Sequence, residues 1–325
     1  MPSVVASMFP PKATFSVDDI PDLNGQVIIV TGGNTGIGKE TAKVSKLSSL
    51  QGRSYGREQA LLSHNAKVYI AGRNLQKVQA AIAELQQGTG KQAYALQLDL
   101  ANLRSVKHAA EEFQTKEAQL HVLFNSAGVM FPPVEDMTSD GYDLQFGTNV
   151  LGHFYFTRLL LPLLLSTAKT TPSGKVRVVN TSSMGHSFVD HINYEALRES
   201  PQRIKLGTHK LYFQSKFGNV LFSNELQRRY GDQGIVSISL HPGNLKTDLQ
   251  RHSSKAGKCL SSALLYPAPM GALTQLYGGT MPEATQYGGK YMVPWARVGE
   301  ARKETNDPKA AQDLWTWLED QVKDV

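Results

Sequence analysis

The sequence predicts a single α/β domain with a doubly wound, seven-stranded and mainly parallel sheet that carries helices on both faces. Short β-branched runs alternate with longer helical patterns along nearly the whole chain. A glycine-rich turn joins the first of these runs to a helical pattern. The 325 residues, 41% of them hydrophobic, suffice for one large core. The predicted strands are residues 26–31, 67–71, 93–99, 122–126, 176–181, 236–240 and 290–293.

The cysteine content, the N-terminal segment and the longest apolar run bear on the cellular location of the protein. A single cysteine, Cys259, excludes an internal disulfide and favours a reducing compartment, so we expect a cytoplasmic location. Residues 1–22 lack a basic region followed by a long apolar run, and we expect a tail packed on or near a domain of residues 23–325. The most apolar run, residues 154–165, is too short to span a bilayer and predicts a buried helix. Association with a membrane surface stays open.

Charge and histidine patterns argue against two other kinds of partner. The net charge of +6 comes from dispersed Lys and Arg residues without a basic run, so we expect no nucleic-acid partner. The histidines show no spacing typical of metal ligands, and we expect no metal. The oligomeric state stays open.

A glycine-rich turn, Thr-Gly-Gly-Asn-Thr-Gly-Ile-Gly, follows the first predicted strand directly and leads into a helical pattern. Glycines let the backbone turn tightly and approach a ligand, and the amides at a helix start attract a pyrophosphate. The alternative is a plain turn, but its place between strand and helix indicates a dinucleotide site. The candidate cofactor-binding residues of the turn are Gly32, Asn34, Thr35, Gly36, Ile37 and Gly38.

The ends of the next three strands complete this candidate site. The second strand ends at Arg73, where an acidic residue would hold the ribose of NAD. A guanidinium suits the 2′-phosphate of NADP, so we expect NADP(H) over NAD(H), the alternative being a surface arginine. Asp99 and the adjoining Leu100 lie where the adenine edge would be. Small residues follow the fourth strand, as close backbone approach to a cofactor requires: Asn125, Ala127 and Gly128.

The interval between the glycine turn and Arg73 is too long. A residue that reads the ribose comes about 20 residues after the glycines, yet Arg73 lies 35 residues beyond Gly38. Removing the 16 residues 44–59 joins Lys43 to Ala60, restores the amphipathic pattern and shortens the interval to 19 residues. We hypothesise that this segment is a retained, in-frame intron or a gene-model artefact. The alternative is a genuine surface insertion.

A tyrosine and a lysine four residues apart form the candidate reacting centre. The apolar spacing of residues 211–227 predicts a helix, which places Tyr212 and Lys216 on one face. A lysine charge within about 4–6 Å favours the phenolate and makes the phenol a usable acid or base near neutrality. The same spacing also fits a half-buried aromatic beside a solvated amine. The other motifs of the sequence therefore distinguish a catalytic pair from this alternative.

Those motifs follow a specific order: the glycine turn, Asn125-Ser-Ala-Gly, Asn149 in Asn-Val-Leu-Gly-His, Ser183, Tyr212-x-x-x-Lys216 and His241-Pro-Gly. In this order the chain resembles the short-chain dehydrogenase/reductase family, with its Rossmann-type fold, and within it the retinol dehydrogenase-like branch and similar fungal oxidoreductases. The resemblance runs from about residue 21 to the C-terminus, interrupted by residues 44–59. Gly33 in the turn and Ser126 after Asn125 are mild departures.

The resemblance implies roles for individual residues. Tyr212 is the general acid for carbonyl reduction and the base for alcohol oxidation, and Lys216 lowers its pKa and binds the nicotinamide ribose. Ser183, rather than the neighbouring Ser182, orients the substrate oxygen. Asn149 holds a water in a proton relay. The residues implied to close over the nicotinamide are Pro242, Gly243, Asn244 and Thr247.

Together these features predict an NADP(H)-dependent oxidoreductase that transfers a hydride between nicotinamide and a small apolar alcohol, aldehyde or ketone, as a carbonyl reductase does. We expect a pocket formed by residues 129–134 and 186–189, under a lid within about residues 250–287. The alternative is a non-catalytic NADP(H)-binding or regulatory protein that the 44–59 segment has inactivated. The complete set of candidate catalytic residues argues against that alternative.

Overall fold

An eight-stranded sheet lies at the centre of the computed structural model, which describes residues 9–34, 36–42, 44–45, 58–59, 61–246 and 265–325. The strands within the described ranges are β1 (Val27–Thr31), β2 (Val44–Ser45), β3 (Glu58–Gln59), β4 (Lys67–Gly72), β5 (Tyr94–Gln97), β6 (Val122–Asn125), β7 (Val176–Thr181), β8 (Ile235–Leu240), β9 (Leu245–Lys246), β10 (Tyr266–Pro267), β11 (Tyr291–Val293) and β12 (Arg297–Gly299). The central sheet has the order β12-β11-β8-β7-β6-β1-β4-β5. The predicted doubly wound α/β domain is therefore confirmed.

All pairings in the central sheet are parallel except the one between β11 and β12. The strands β1, β6 and β8 are buried along their whole length, because helices cover both faces of the sheet. The prediction of seven strands omits β12, a three-residue edge strand whose residues stay partly or fully exposed. Short exposed edge strands leave no β-branched buried run for a sequence pattern to detect. Two further short pairs, β2 with β3 and β9 with β10, lie outside the central sheet.

Helices connect the strands and pack on both faces of the sheet. Among the described residues, the α-helices are α1 (Gly36–Ala42), α2 (Leu75–Thr89), α3 (Leu103–Lys116), α4 (Leu144–Phe146), α5 (His153–Thr170), α6 (Pro201–Tyr230), α7 (Ala268–Thr280) and α8 (Pro308–Val322). A π-helix, Gly147–Gly152, joins α4 to α5. The short 3-10 helices in the same part of the chain are Val17–Asp19, Met184–Phe188, Tyr194–Leu197, Gly231–Gln233, Pro282–Gln286 and Lys303–Asn306.

The order of the strands creates a crevice at one edge of the sheet. The chain runs from β1 to β4 on one side and returns to β6 on the other side of β1. Where the strand order reverses in this way, the loops after the two neighbouring strands diverge and leave room for a ligand at the carboxyl ends. The loops after β1, β6 and β7 therefore form the region in which the candidate site has to lie.

The long apolar helical stretch is part of the interior. Residues 144–170, which include the predicted buried helix, form 27 continuous helical residues with a mean hydropathy of 1.3 in the most apolar window. Within that window 67% is buried inside the fold. Phe154, Leu160 and Leu164 have no exposed surface and belong to the core on one side of the sheet. This is the burial typical of a core helix.

The segment before β1 packs on the domain. Phe15, Val17 and Ile20 are buried, and the Phe15 ring meets the Tyr277 ring edge-on at 5.2 Å between centroids. Tyr277 belongs to α7, inside the region that the sequence assigns to a lid. Most residues of α7 are buried against the sheet and α1, so residues 268–280 form a core helix, and the lid within about residues 250–287 stays a prediction. Residues 247–264 of that region lie outside the described residues.

The candidate insertion starts and ends at the same place. Within residues 44–59 the structure describes the two ends, where Val44 pairs with Gln59 and Ser45 with Glu58 in antiparallel register. The preceding helix α1 ends at Ala42. Ala42, Leu61 and Leu62 are fully buried in one core cluster. The chain therefore leaves the core after α1 and rejoins it about two residues after the segment.

Candidate active site

Helix α6 carries the tyrosine–lysine pair into the interior. The predicted helix of residues 211–227 lies inside α6, which begins after the capping residue Ser200 and bends at Gly207, where φ is 74°. Tyr212 and Lys216 are 5% and 4% exposed. The Lys216 Nζ lies 5.7 Å from the centroid of the Tyr212 ring and donates a hydrogen bond of 3.0 Å to the carbonyl of Thr181, at the end of β7. The two side chains therefore face the carboxyl end of the sheet.

Burial controls the protonation of both groups. It raises the pKa of Tyr212 to about 12, against the opposing effect of a hydrogen bond from Ser183. It lowers the pKa of Lys216 to about 7, because the desolvated ammonium is unfavourable. Burial thus opposes the effect on the Tyr212 pKa that the resemblance implies for Lys216. Near neutrality the lysine is only partly charged, so its attraction for a phenolate is weaker than that of a permanent ammonium.

The two serines after β7 have different partners. The Ser182 hydroxyl donates to the main-chain carbonyl of Lys216 at 2.7 Å and is buried. Ser183 caps the Met184–Phe188 helix, its hydroxyl accepting from the amide of Gly185 at 3.1 Å, and it is hydrogen-bonded to the Tyr212 phenol. The Ser183 hydroxyl thus lies beside the phenol, whereas that of Ser182 supports the backbone of α6.

Asn149 lies in the π-helix and is fully buried. Its Oδ1 accepts from the amide of Val129 at 2.9 Å, and its Nδ2 donates to the Val129 carbonyl and to the Ser215 hydroxyl, each at 3.0 Å. The side chain therefore fixes the loop after β6 against α6. The polar atoms of the Asn149 side chain thus have protein partners, and its part in a proton relay stays a prediction.

A buried histidine links Asn149 to the end of β1. The Nδ1 of His153 lies 3.1 Å from the Asn149 carbonyl and therefore carries the proton, and its Nε2 lies 2.9 Å from the Thr31 hydroxyl. Burial lowers the pKa of His153 to about 4, so the ring is neutral. The Thr31 hydroxyl also accepts from the amides of Ser126 and Ala127 at 2.9 and 3.0 Å. Because threonine is common in strands, no sequence signal distinguished Thr31.

The glycine turn is as tight as its sequence predicts. Gly32 has φ of 70°, and a Cβ there would lie 2.9 Å from the Cα of Ala127. A Cβ at Gly38 would lie 2.6 Å from the Gly32 carbonyl oxygen. Gly36 and Ile37 begin α1 directly after the turn, and Thr35 lies outside the described residues. Only glycine therefore lets the turn and the loop after β6 approach each other this closely.

The Asn34 side chain lies at the end of β4, where a Cβ on Gly72 would come within 2.7 Å of its Oδ1. The next residue, Arg73, is exposed, and Asn74 caps α2 by accepting from the amide of Lys77. The exposed guanidinium thus starts from the same sheet edge as the glycine turn. Such a position is open to a ligand and equally compatible with a surface arginine.

Three further candidate cofactor residues lie at the ends of β5 and β6. Asp99 is half-buried and its Oδ1 accepts from the amide of Ala101 at 3.0 Å, whereas Leu100 is buried. The Asn125 side chain is also buried, and its Nδ2 donates to Asn180 on β7 and to Thr157 on α5. The binding of a cofactor by Asn125 stays a prediction.

Gly128 lies at the centre of the candidate site. A Cβ at this position would lie 3.0 Å from the Asn149 Oδ1 and 3.7 Å from the Lys216 Nζ. Ala127, beside it, donates its amide to Thr31 as described above. The absence of a side chain at Gly128 therefore lets the loop after β6 lie close to Asn149 and Lys216.

The residues after β8 approach a tryptophan. Pro242 is buried, and Gly243 has φ of 99° with Trp295 so near that a Cβ would lie 2.8 Å from its ring. The carbonyl of Asn244 accepts from the amide of Tyr266 at 2.7 Å. Thr247 lies outside the described residues.

Two groups support Ser183: His186, which is among the predicted pocket residues, and Tyr291, which sequence reasoning missed. The amide of Arg302 donates to the Nε2 of His186 at 3.0 Å, so the proton is on Nδ1, which lies 2.6 Å from the Ser183 carbonyl. Burial lowers the pKa of His186 to about 4. The Tyr291 hydroxyl lies 3.4 Å from the same carbonyl and 3.2 Å from that Nδ1. Tyr291 belongs to β11, more than 100 residues away, and no local pattern connects it to Ser183.

Gln275 is a second residue that the sequence did not single out. It is fully buried on α7, accepts from the hydroxyls of Ser126 and Thr181 at 3.0 and 3.2 Å, and donates to the Thr41 hydroxyl on α1. This amide thereby holds α1, β6 and β7 together below the site. A lone amide in an otherwise apolar helical pattern was the available signal.

These features define a class of protein: a doubly wound α/β domain with a glycine turn after β1 and a buried Tyr–Lys–Ser group at the switch point is a Rossmann-type dinucleotide-binding oxidoreductase. The sequence profile described as short chain dehydrogenase matches residues 26–196. A short-chain dehydrogenase/reductase of Armillaria gallica is 53% identical over 322 residues, covering 99% of this chain and 98% of the relative. The chain belongs to the short-chain dehydrogenase/reductase family, which binds a nicotinamide cofactor, and the resemblance inferred from its motifs is confirmed.

Solved structures agree on the fold. The Pseudomonas aeruginosa RhlG protein, in an NADP active-site complex, aligns with a TM-score of 0.63 at 22% identity, covering 84% of this chain and 95% of the other. A 3-ketoacyl-(acyl-carrier-protein) reductase from Brucella melitensis, complexed with NADH, aligns with a TM-score of 0.61 at 19% identity, covering 83% and 96%. At this level of identity the likeness concerns the architecture alone.

Proposed function

We propose that this oxidoreductase is NADP(H)-dependent and acts as a carbonyl reductase or alcohol dehydrogenase on a small apolar substrate, with Tyr212 as its general acid and base. The observation that carries the proposal is the buried group around Lys216. Ser183 is hydrogen-bonded to the phenol, the lysine binds the Thr181 carbonyl, and a Cβ on Gly128 would lie 3.7 Å from the lysine Nζ. The 29-residue interval from Ser183 to Tyr212 is typical of the retinol dehydrogenase-like branch.

The residues present fit a dinucleotide. A Cβ would lie within 2.9 Å of neighbouring backbone at Gly32 and Gly38, and 3.0 Å from the Asn149 side chain at Gly128. The turn would hold the pyrophosphate, the backbone around Ala127 would line the nicotinamide half, and Lys216 would reach a ribose hydroxyl. When bound, the nicotinamide supplies or accepts the hydride. NADP(H) is proposed over NAD(H) because Arg73 is exposed at the end of β4 without an acidic neighbour in the loop.

The side chains of the protein handle the oxygen and the proton. In the direction of reduction, the carbonyl oxygen accepts hydrogen bonds from Ser183 and Tyr212 while the carbon gains the hydride and the C=O π bond breaks. Tyr212 transfers its proton to that oxygen and becomes a phenolate. The negative charge then raises the proton affinity of Lys216, so the lysine takes up a proton from solvent and stabilises the phenolate as a cation. Oxidation of the alcohol runs through the same steps in reverse.

The Tyr212→Phe variant tests this proposal. Loss of a general acid slows turnover by about 10²–10⁴-fold, whereas NADPH affinity should stay within about threefold because the ring remains. Turnover is followed as NADPH oxidation with a panel of ketones and aldehydes, and binding as nicotinamide fluorescence. Tyr230→Phe, at the other end of α6, is the matched control and should behave as the wild type. Turnover of Tyr212→Phe above one tenth of the wild-type rate would refute the assignment.

The cofactor preference is tested separately at Arg73. Removing a guanidinium from a phosphate contact costs a charge-assisted hydrogen bond, so Arg73→Ala should weaken NADPH binding by about tenfold and leave NADH binding unchanged. Equal loss for both cofactors would contradict a 2′-phosphate contact. The lone cysteine favours a reducing compartment, and we propose a cytoplasmic location on that ground.

A further inference from the structure

Three phenylalanine rings form a continuous surface that starts at the candidate catalytic tyrosine; we call Phe131, Phe188 and Phe213 the aromatic wall. The Phe131 ring lies 5.0 Å from the Tyr212 ring and 6.3 Å from that of Phe213, both edge-on. Phe213 in turn lies 5.0 Å from Phe188. The rings of the wall therefore form a continuous series of contacts that begins at the buried phenol and ends at Phe188.

The outer end of the wall reaches solvent. Phe188 is 53% exposed, and Phe131 and Phe213 are half-buried. His209, itself exposed, lies beside Phe131 with 4.4 Å between ring centroids. A phenylalanine that served the core alone would be covered by it, whereas large apolar surface next to a reactive group is typical of a ligand site. The wall thus has the exposure gradient of a substrate channel.

Neighbouring backbone keeps the rings in place. A Cβ at Gly185 would lie 3.0 Å from the Cδ1 of Phe213 and 3.4 Å from the Cε1 of Tyr212. Any larger residue at this position would press on both rings. The glycine after Ser183 therefore allows the wall and the phenol to lie side by side.

Phe131 is held by a clamp between its loop and α6. Its φ of 54° is in the left-handed region, which a bulky residue adopts only where the surroundings require it. Its amide donates to the Gln145 Oε1 at 2.9 Å, and the Gln145 Nε2 donates to the Thr208 carbonyl at 2.8 Å. The Thr208 hydroxyl donates to the Pro132 carbonyl at 2.7 Å. The first ring of the wall is thus preorganised.

We propose that this wall selects substrates in which the reacting carbonyl or carbinol carbon is attached directly to a flat aromatic ring. The inference rests on the function proposed above and specifies its substrate class. Aromatic rings prefer edge-to-face and offset-stacked neighbours at 4.5–7 Å, an interaction that a puckered saturated ring of the same size does not make. A ring placed against Phe131 and Phe213 would put its attached carbonyl beside Tyr212.

The test compares acetophenone with cyclohexyl methyl ketone, which share a carbon skeleton but differ in planarity. The quantity measured is the ratio of kcat/KM for the two ketones, and each variant is compared with the wild type so that intrinsic reactivity cancels. Phe213→Leu and Phe188→Leu should each lower the ratio by about 2- to 10-fold, the range expected for one aromatic pair. Tyr94→Leu, an exposed aromatic on the edge strand β5, is the matched control and should leave it unchanged.

The outcomes separate this inference from the proposed function. If both ketones are turned over and neither Phe variant changes the ratio of their kcat/KM values, the inference about the substrate is wrong and the proposed reductase activity is unaffected. If neither ketone is turned over, binding of the two ketones to the NADPH complex is measured by saturation-transfer NMR. Preferential binding of acetophenone that Phe213→Leu abolishes would support selection of aromatic ketones by the wall in a protein without reductase activity. Equal binding of the two ketones would refute that selection. Nicotinamide fluorescence verifies that each variant is folded and binds cofactor.

Discussion

Replacement of Lys216 by methionine should stabilise the protein at neutral pH while it destroys activity. The lysine is 4% exposed, and burial lowers its pKa from 10.5 to about 7. Methionine has a similar length and carries no charge. Active-site groups held in unfavourable surroundings are a common reason why function limits stability.

The sign and size of this change in stability follow from the difference between the pKa of Lys216 in the folded and unfolded states. Between pH 7 and 10.5 the unfolded lysine holds a proton that the folded one has lost, so stability of the wild type rises with pH across this window. Below pH 7 the cost of burying the charge is fully present, about 5 kcal/mol at 1.36 kcal/mol per pKa unit. Methionine loses one hydrogen bond, about 1 kcal/mol, but the Thr181 carbonyl still accepts from the Asn219 amide at 3.1 Å.

We therefore expect the free energy of unfolding of Lys216→Met to exceed that of the wild type by about 2–4 kcal/mol at pH 6.5. At pH 10.5 the gain should vanish. The assay is guanidinium unfolding followed by circular dichroism at both pH values. Lys210→Met, an exposed lysine on the same helix, is the control and should change stability by less than about 0.5 kcal/mol at either pH.

Two results would refute this reasoning. One is a stability difference between Lys216→Met and the wild type that is the same at pH 6.5 and 10.5, since a buried charge cannot produce it. The other is destabilisation at pH 6.5, which would mean that the ammonium is well solvated or paired in solution.

Three other predictions follow from the same geometry. A Cβ at Gly38 would lie 2.6 Å from a carbonyl oxygen of the glycine turn, so Gly38→Ala should weaken NADPH binding at least tenfold by fluorescence titration. Gly88→Ala, where nothing lies within 4 Å of the new Cβ, is its control and should bind normally. Tyr291→Phe removes a hydroxyl that supports the carbonyl of Ser183, and should lower kcat several-fold with KM and NADPH affinity unchanged; an unchanged kcat would contradict that role. A protein lacking residues 44–59 should fold and bind NADPH at least as tightly as the full chain, because the ends of the segment already pair; failure to fold would show that the segment is a required part of the domain.

The fold could be predicted because the sequence patterns of its strands and of its glycine turn are each contained in a short stretch of chain. Parallel strands covered on both faces read as continuous apolar runs, and each of the seven predicted strands overlaps an observed one. The glycine turn was recognisable because only glycine fits such close backbone contacts. The omission falls where no local pattern exists, because β12 is only three residues long and exposed.

The candidate site was predicted in part for the same reason. The helical period alone places Tyr212 and Lys216 on one face, so the pair needs no tertiary information. Ser183 required family resemblance, because 29 residues separate it from the tyrosine that it contacts. Tyr291 and Gln275 were missed, since each contacts site residues that are distant in the chain.

The sequence by itself determined the class of domain, the glycine turn, the reactive pair and the family. The tertiary structure decided the chemistry of that pair. Whether a phenol ionises more or less readily depends on how much water reaches it, and water is excluded by the loop after β6, the π-helix and β7 together. Desolvation therefore moves the pKa of Tyr212 up and that of Lys216 down, opposite to the attraction that their spacing alone suggests. A one-dimensional pattern records which side chains are neighbours, but desolvation depends on every element that packs around them.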